Sequence, residues 1–486
     1  MGVMTFQLPT TLPAGARAAV ERARFAGGYD HTPFPSTVRL RGDHFLLTRA
    51  QNESGYVTAP WPVPQIGFPV TTSATLRERP EAYRFLVELA RGKVNQVRTQ
   101  AAEWEMAGLT LDAETLAQLA AVTRLFGKAV LNPNPSEADA SALEALTGAY
   151  QTAERAVSQY ATTLRSRHAG RWPRLGCRLD AKPKSIDAFA QTFTAVRVVP
   201  DWSTIEAKES NYDWAHLDDL IDWAKSNDLE VSVGPLIDLS GAPLPRWLEE
   251  WHGDLPSMAT FLCDFVETAI HRYRGRVKEW LLCTGFNHTN ALGLAEDDRL
   301  RLTAKLLDAA RAAEPDGRWV IGLTQPWGDY LDHDEYTYSP LVFADTLLRS
   351  GLPVAGFELE LVTGDSPAAS HLRDRLDTLQ LFELFSNLGV PLDVLFSHPG
   401  KSNGDATTSD SSKPTALWLA SDSGAAQAEW GGRLADLCLC LPQVRSLYWG
   451  RWQDTPHDAT GVVGLDGTAK PLLAELQRAR ALMPAG

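Results

Sequence analysis

Residues 171–486 predict an α/β fold, a (β/α)₈ barrel, because short apolar runs alternate there with amphipathic helical segments. The chain has 486 residues and is 44% hydrophobic, which is enough for a large core and a second domain. The expected strands lie at 175–179, 194–199, 230–234, 279–284, 319–323, 354–361, 391–396 and 446–450. In this fold functional side chains follow the carboxyl ends of the strands, so the strand exits are the expected site.

The N-terminal third has a different pattern. Residues 1–30 are expected to form a loosely held arm, and residues 31–80 a small β module with a hairpin pattern around a Gly-Asp turn. In residues 81–170 the apolar positions recur three or four apart, which predicts a helical segment that packs on the barrel. We therefore predict a small β plus helical domain followed by the barrel at 171–486.

The first helix of that segment carries a group of basic side chains interleaved with glutamates. The basic residues are Arg84, Arg91, Lys93 and Arg98. Their mixture with acidic residues favours a solvated or interdomain face, and an anionic partner is the alternative.

Charge and composition exclude several classes of function. Residues 1–170 hold 17 Lys and Arg against 15 Asp and Glu, a net charge of +2, so residues 171–486 carry −16, which argues against nucleic acid and suits a neutral or cationic small molecule. No apolar run is long enough for a membrane span, and the start of the chain lacks a secretory pattern, so we expect a cytoplasmic protein. The five cysteines lie mostly in apolar runs and are expected to be reduced core residues; no cofactor or metal is predicted.

The barrel region contains the run Trp-Ser-Thr-Ile-Glu-Ala-Lys-Glu-Ser-Asn-Tyr-Asp-Trp at 202–214. This run resembles the exit of the second strand in glycoside hydrolase family 10, the endo-β-1,4-xylanase family. Further similar segments are 220–229, 272–280, 448–450 and 464–471. The resemblance covers about residues 172–480 and none of the N-terminal part. It implies a retaining glycosidase barrel, in which two carboxyl groups lie roughly 5 Å apart across the scissile bond.

The positions that carry the family's chemistry differ in this chain. The resemblance puts the acid/base glutamate on Gly285, the asparagine before it on Thr284, and the nucleophile on or beside Phe396. Its sugar-binding positions fall on Arg197, Val198, Asp201, Gly234, Asp238, Glu360 and Val362. Glycine has no proton to donate and phenylalanine cannot attack an anomeric carbon. We therefore expect a barrel that binds a carbohydrate or polyol at the strand exits without the family's retaining hydrolysis, and we leave enzymatic activity open.

Two glutamates on the sixth strand are the most informative polar residues that remain. Glu358 and Glu360 are two apart, so both should face the barrel interior if their apolar neighbours face the helices. A buried carboxylate needs a partner, and Arg197 is the expected one. We favour a functional interpretation of this pair, and a purely structural ion pair is the alternative.

A divergent hydrolase could use relocated carboxylates, Glu360 with Asp329 or Asp238, which follow the fifth and third strands. Asp329 could equally be an ordinary turn residue. Together with His333, Asp334 and Glu335 it could bind a divalent cation, although the spacing matches no defined loop.

Aromatic and polar residues at the strand exits complete the predicted binding set. Trp327 and Trp452 lie among Gly, Gln and Asp and are expected to stack on sugar rings, whereas Trp449 suits the core. The full set of predicted substrate-binding residues is Trp327, Trp452, Glu358, Arg197, His398 and Asn287. A third interpretation is a structural or assembly component with a scaffold-only barrel, possible as a homo-oligomer through the N-terminal domain.

Overall fold

The computed structural model describes residues 2–167, 172–332, 336–364, 366–400 and 424–483. Its N-terminal part contains two four-stranded sheets, ordered β4-β5-β1-β8 and β3-β2-β6-β7. The strands are β1 (Gly2–Gln7), β2 (Arg24–Gly27), β3 (Thr32–Phe34), β4 (Ser36–Arg41), β5 (His44–Arg49), β6 (Tyr56–Pro60), β7 (Val70–Thr72) and β8 (Tyr83–Arg84), with helix α1 (Ala16–Glu21) between β1 and β2.

The expected loose N-terminal arm is wrong. Strand β1 is an inner strand, antiparallel to β5 and parallel to β8. Its alternate residues Met4 and Phe6 are fully buried, and the ring of Phe6 stacks on Phe45 with centroids 4.9 Å apart. The period of two in this short stretch therefore belongs to the β module, which begins at the start of the described chain.

Three helices follow the β module, as the sequence predicted. They are α2 (Phe85–Met106), α3 (Ala113–Leu131) and α4 (Pro135–Arg167). The predicted apolar face of α2 is buried, and Trp104 stacks on Tyr160 of α4 with centroids 4.7 Å apart. Asp112 caps α3 by accepting a hydrogen bond from the backbone N–H of Thr115.

The remainder of the chain is the predicted (β/α)₈ barrel. Its eight parallel strands are β9 (Arg174–Leu179), β10 (Ala195–Val198), β11 (Glu230–Val233), β13 (Glu279–Thr284), β14 (Arg318–Thr324), β15 (Val354–Val362), β16 (Leu392–Ser397) and β17 (Val444–Trp449), with a short β12 (Ile237–Asp238) beside β13. Pairing of Val233 with Trp280 joins β11 to β13 and closes the cylinder. All eight strands lie where the sequence placed them.

Helices follow each barrel strand and cover its outside. They are α5 (Ile186–Thr192), α6 (Trp202–Ile205), α7 (Ala215–Ser226), α8 (Leu255–Tyr273), α9 (Glu296–Ala313), α10 (Pro340–Arg349), α11 (Arg375–Ser386), α12 (Gly424–Cys438) and α13 (Pro471–Ala481), with 3₁₀ turns at Arg246–Trp251 and Asp329–Asp332. No helix among the described residues is long and apolar enough to cross a bilayer. The five cysteines are free, and four of them are buried, as predicted.

Polar contacts hold the N-terminal helices against one side of the barrel. Lys93 of α2 pairs with Asp374, the N-cap of α11, at 2.6 Å, and both side chains are almost completely buried. Arg375 of α11 pairs with Glu154 of α4 at 2.8 Å. The basic face of α2 is thus, at Lys93, the interdomain contact that the sequence favoured.

Candidate functional site

A network of ion pairs fills the centre of the barrel. Phe357, Leu359 and Leu361 of β15 belong to the core beneath the helices, so the intervening Glu358 and Glu360 face inward. Glu358 pairs with Arg197 of β10, across the barrel, and both side chains are fully buried. The predicted orientation of both glutamates and the predicted partner of Glu358 are confirmed.

Arg197 contacts several strands at once. Its guanidinium lies 3.2 Å from a carboxylate oxygen of Asp393 on β16 and donates to Ser232 Oγ on β11 at 3.1 Å. It also lies over the ring of Tyr448 on β17, 4.1 Å from the centroid. One arginine therefore ties five strands together around the barrel axis.

Nearer the strand exits, Glu360 is held by two donors. Arg178 of β9 donates to Glu360 at 3.0 Å and to Glu358 at 2.6 Å, and Thr284 Oγ1 donates to Glu360 at 2.7 Å. Only 2% of the Glu360 side chain is exposed. The carboxylate that the sequence favoured as a relocated catalyst is thus a neutralised, hydrogen-bonded member of the network.

At the opposite end of the barrel, the inward carboxylates are also paired with arginines. Arg174 donates to Glu279 at 2.6 and 2.8 Å, and Arg445 makes a two-point contact with Asp393 at 3.0 and 2.7 Å. Burial alone raises the pKa of Asp393, but the charges of Arg445 and Arg197 outweigh it and leave that pKa below its ordinary value. Asp393 is therefore ionised, and the inward carboxylates of the barrel are paired with arginines.

The position expected to carry the family's acid/base residue cannot hold a side chain in this backbone. Gly285 has φ +82°, and a Cβ added there would lie 2.8 Å from backbone atoms of both Leu239 and Ser240. That conformation is strained for any residue other than glycine, and the contact is closer than atoms tolerate. The backbone conformation at position 285 therefore excludes an acidic side chain, as it excludes any other side chain.

The nucleophile position also lacks a carboxyl group. Phe396 faces the outer helices, where its ring packs edge-on against Trp449 with centroids 4.9 Å apart. Its neighbour Leu395 faces inward and packs with Ala195 and Tyr448, and the next residue is Ser397. The seventh strand therefore presents an apolar and a hydroxyl side chain where a retaining glycosidase needs its second carboxylate.

Asp329 is not available as a partner for Glu360. Its two carboxylate oxygens accept from Arg373 at 2.7 and 3.1 Å, and one also accepts from the backbone N–H of His371 at 3.0 Å. Burial raises the pKa of Asp329, but the Arg373 charge outweighs it and holds the pKa well below its ordinary range. This carboxylate stays ionised, so it cannot donate a proton as a general acid.

Asp238 serves its own turn. Its Oδ1 accepts from the backbone N–H of Ser240 at 2.7 Å and from Ser240 Oγ at 2.5 Å. The proposed cation ligands His333, Asp334 and Glu335 lie outside the described residues. Within the described ranges, no group of three or more His, Cys, Asp or Glu side chains is arranged to hold a metal ion.

His398 and Asn287 pack inside the barrel's upper layer. His398 Nδ1 lies 2.7 Å from Thr363 Oγ1, its ring stacks on Trp430, and burial lowers its pKa to about 4. Asn287 joins the fourth and fifth strands by donating to the carbonyl of Thr324 at 2.9 Å and accepting from its N–H at 3.2 Å. Both residues are almost fully buried, so their observed contacts are with the protein itself.

The two predicted stacking tryptophans have different surroundings. Trp452 is only 6% exposed, and Phe189 of α5 and Phe193 just after it pack edge-on against its ring at 5.2 and 6.2 Å, so the expected open platform does not hold there. Trp449 is fully buried, as its core interpretation predicted. Trp327 is half-buried and lines a cavity.

That cavity, of about 840 Å³, lies between the N-terminal domain and the barrel, and we call it the interdomain cavity. One wall consists of β2, β6, β7 and α2, and the other of Trp327, Arg373 and α11. The aromatic part of its lining consists of Tyr29, His31, Tyr56, Tyr150 and Trp327. Its size is within the range of small-molecule sites, and its position at a domain boundary is typical of them.

Hydrogen-bonding side chains occupy the floor of the interdomain cavity. Gln96 Nε2 donates to Asp377 Oδ1 at 2.6 Å and to Gln380 Oε1 at 2.8 Å. His31 stacks on Tyr56 with centroids 4.7 Å apart, and the guanidinium of Arg373 lies 4.6 Å from the centre of the Trp327 ring. Aromatic faces next to fixed polar groups form a surface on which a polyhydroxylated ring can be held.

Sequence reasoning found one residue of this cavity, Trp327, and missed the rest. The contribution of the N-terminal domain had only a weak signal, the basic face of α2 that contains Lys93. Tyr29, Tyr56 and Gln96 had none, because each is unremarkable within its own element. Their convergence depends on how the two domains pack.

Comparison with known proteins confirms the resemblance for part of the barrel. Residues 185–284 match the model of Glycosyl hydrolase family 10. Among solved structures, native xylanase 10B from Thermotoga maritima is 15% identical with a TM-score of 0.47, covering 67% of this chain and 98% of that one. The GH10 structure from Paenibacillus barcinonensis is 17% identical with a TM-score of 0.47, covering 65% and 96%. The intracellular xylanase TsXylA from Thermoanaerobacterium saccharolyticum is 16% identical with a TM-score of 0.45, covering 63% and 95%.

Proposed function

We propose that this protein binds a carbohydrate or related polyol in the interdomain cavity and does not hydrolyse it by the retaining mechanism of family 10. The observation that carries the proposal is the position of Trp327, a strand-exit tryptophan that lines a cavity of about 840 Å³ beside fixed polar groups. Sugars need an apolar face for their C–H groups and oriented donors and acceptors for their hydroxyls. Gln96, Asp377 and Gln380 offer the second of these.

The non-hydrolytic part of the proposal rests on the barrel. Retaining hydrolysis needs one carboxylic acid that can donate a proton and one carboxylate that can attack carbon. Gly285 and Phe396 supply neither, and Glu358 and Glu360 are bound to arginines. We place the protein in the cytoplasm, where its five free cysteines would stay reduced.

The binding test is calorimetry with neutral xylo- and cello-oligosaccharides and other polyols. Replacing Trp327 by Ala removes the stacking face, so the Kd of any ligand found should rise about tenfold or more. The matched control is Trp251→Ala, because Trp251 is 37% exposed and does not line the interdomain cavity. Binding that Trp327→Ala leaves unchanged would place the ligand elsewhere and contradict the proposal.

The hydrolysis test is release of reducing sugar from xylan and xylo-oligosaccharides by the purified protein. We expect none. Release that is abolished by Glu360→Gln would show that the barrel carboxylates are catalytic, in favour of a divergent hydrolase.

A further inference from the structure

Two cationic side chains line the interdomain cavity, and each already forms an ion pair with an aspartate. Lys93 and Arg373 line the cavity, with side chains only 3% and 10% exposed. Lys93 Nζ lies 2.6 Å from Asp374, and Arg373 makes its two-point contact with Asp329. Neither of these two aspartates lines the cavity. Asp377, which does line the cavity, lies farther from Lys93 Nζ, at 3.9 Å.

The other titratable groups of the wall add no positive charge at neutral pH. The acidic ones are Asp30, Glu103, Asp377 and Glu383. Gln96 donates to Asp377. An incoming phosphate, sulfate or carboxylate would therefore meet cations that are already paired with a carboxylate. It would also meet further carboxylates that carry negative charge, as it does itself.

We propose that Asp374 and Asp329 are specificity-determining residues, which shield Lys93 and Arg373 so that the cavity accepts uncharged polyols and rejects anionic sugars. This inference rests on the proposed function for the identity of the ligand. To pair with Lys93, an anion would have to compete with a buried carboxylate at 2.6 Å. Separating such a pair is strongly unfavourable because it leaves a charge buried without compensation.

The variant Asp374→Asn tests the shield while keeping the helix cap. Asp374 caps α11 by accepting from the backbone N–H of Asp377 at 2.9 Å, and asparagine is an equally good N-cap. The substitution removes the nearest carboxylate charge from Lys93, at a cost in stability because the pair is buried, and leaves Asp377 at 3.9 Å from Lys93 Nζ. Asp329→Asn removes the charge opposite Arg373 and provides a second, independent variant.

The measurement is calorimetric titration with inorganic sulfate, with a hexose phosphate and with the matching neutral hexose. The wild-type protein should bind neither anion measurably, whereas each variant should bind sulfate at least about tenfold more tightly than the wild type does. The matched control is Asp436→Asn, because Asp436 pairs with Arg478 at the surface of the barrel and away from the cavity. That control should gain nothing.

Two results would overturn the inference: wild-type protein that binds the hexose phosphate as tightly as the neutral hexose, or correctly folded Asp374→Asn and Asp329→Asn variants that gain no sulfate affinity. Circular dichroism and thermal melting establish the folding of each variant. Because sulfate is not a sugar, a gain of sulfate binding in a protein that binds no neutral sugar would uphold the shield while contradicting the proposed function.

Discussion

The barrel interior and the interdomain cavity use similar side chains for opposite purposes. In the barrel, arginines and carboxylates from opposite strands face one another at close range, as Arg197 does with Glu358 and Asp393. In the interdomain cavity, the nearest carboxylate partners of Lys93 and Arg373 lie outside the lining, and aromatic and amide groups face an open volume of about 840 Å³. In the barrel, the paired side chains themselves fill the space between the strands. In the interdomain cavity, the charged pairs lie within the walls, so the space between the walls stays open.

The same difference separates the polar groups inside the barrel from Trp327, the strand-exit side chain that lines the interdomain cavity. In most (β/α)₈ enzymes the exits carry the chemistry. In this chain Thr284 and Arg178 both donate to Glu360, so that carboxylate is engaged by the protein itself. The second domain provides the open surface instead.

The largest effect should come from breaking the barrel network. Replacing Arg197 by Met leaves Glu358 and Asp393 buried with less compensation, and loss of one partner of a buried ion pair costs about 3–5 kcal/mol. Thermal and denaturant unfolding should show this loss. The matched control is Arg301→Met, because Arg301 is 68% exposed and should change the unfolding free energy by less than about 0.5 kcal/mol. Equal stability of the two variants would mean that the network does not hold the barrel closed.

A smaller effect should follow from acidification. The pKa of His398 is about 4 in the fold and about 6.5 in an unfolded chain. As pH falls below 6.5, the histidine of the unfolded chain takes up a proton, whereas native His398 does not. The free energy of unfolding therefore falls by up to about 3 kcal/mol between pH 6.5 and 4, with no further loss from this residue below pH 4.

The variant His398→Gln isolates this contribution. Its unfolding free energy, measured from pH 7 to pH 4, should fall less steeply than that of the wild type. Parallel curves for the two proteins would show that His398 is not the buried neutral group that its contacts with Thr363 and Trp430 indicate.

The smallest effect concerns the missing acid. Gly285→Ala should lower the unfolding free energy by about 2 kcal/mol, because the new Cβ meets the backbone of Leu239 and Ser240 in addition to the strained φ. Gly351→Ala is the control: its φ is +74° but nothing lies within 4 Å, so about 1 kcal/mol is expected. Gly285→Glu should create no xylan hydrolysis. A stable, active Gly285→Glu protein would mean that the barrel exits are still open to substrate.

The sequence was sufficient for the barrel and for the direction of its inward side chains. Eight apolar runs separated by helical segments determine the strand number, and a period of two determines that Glu358 and Glu360 share a face. Both properties depend on residues a few positions apart. The resemblance also predicted two positions without a carboxyl group, which needed only the identity of Gly285 and Phe396.

Exposure of single side chains was harder to predict, because it depends on distant segments. Trp452 has polar neighbours in sequence, yet Phe189 of α5 and Phe193 just after it cover its ring. Asp329 has the sequence context of a turn residue or a catalyst, and its bond to Arg373 removes the catalytic role. Neither partner is indicated by anything near the residue itself.

Local pattern thus determined by itself which elements form and which way their side chains point, because the periods of strands and helices are properties of a short stretch of chain. The tertiary structure alone decided which of those side chains are engaged in ion pairs and hydrogen bonds within the protein and which face open space. Lys93 and Asp374 lie far apart in the sequence, and so do Tyr56, Gln96 and Trp327. Only the packing of the N-terminal helices on α11 brings them together, since a buried charge takes its partner from whichever element lies closest in space.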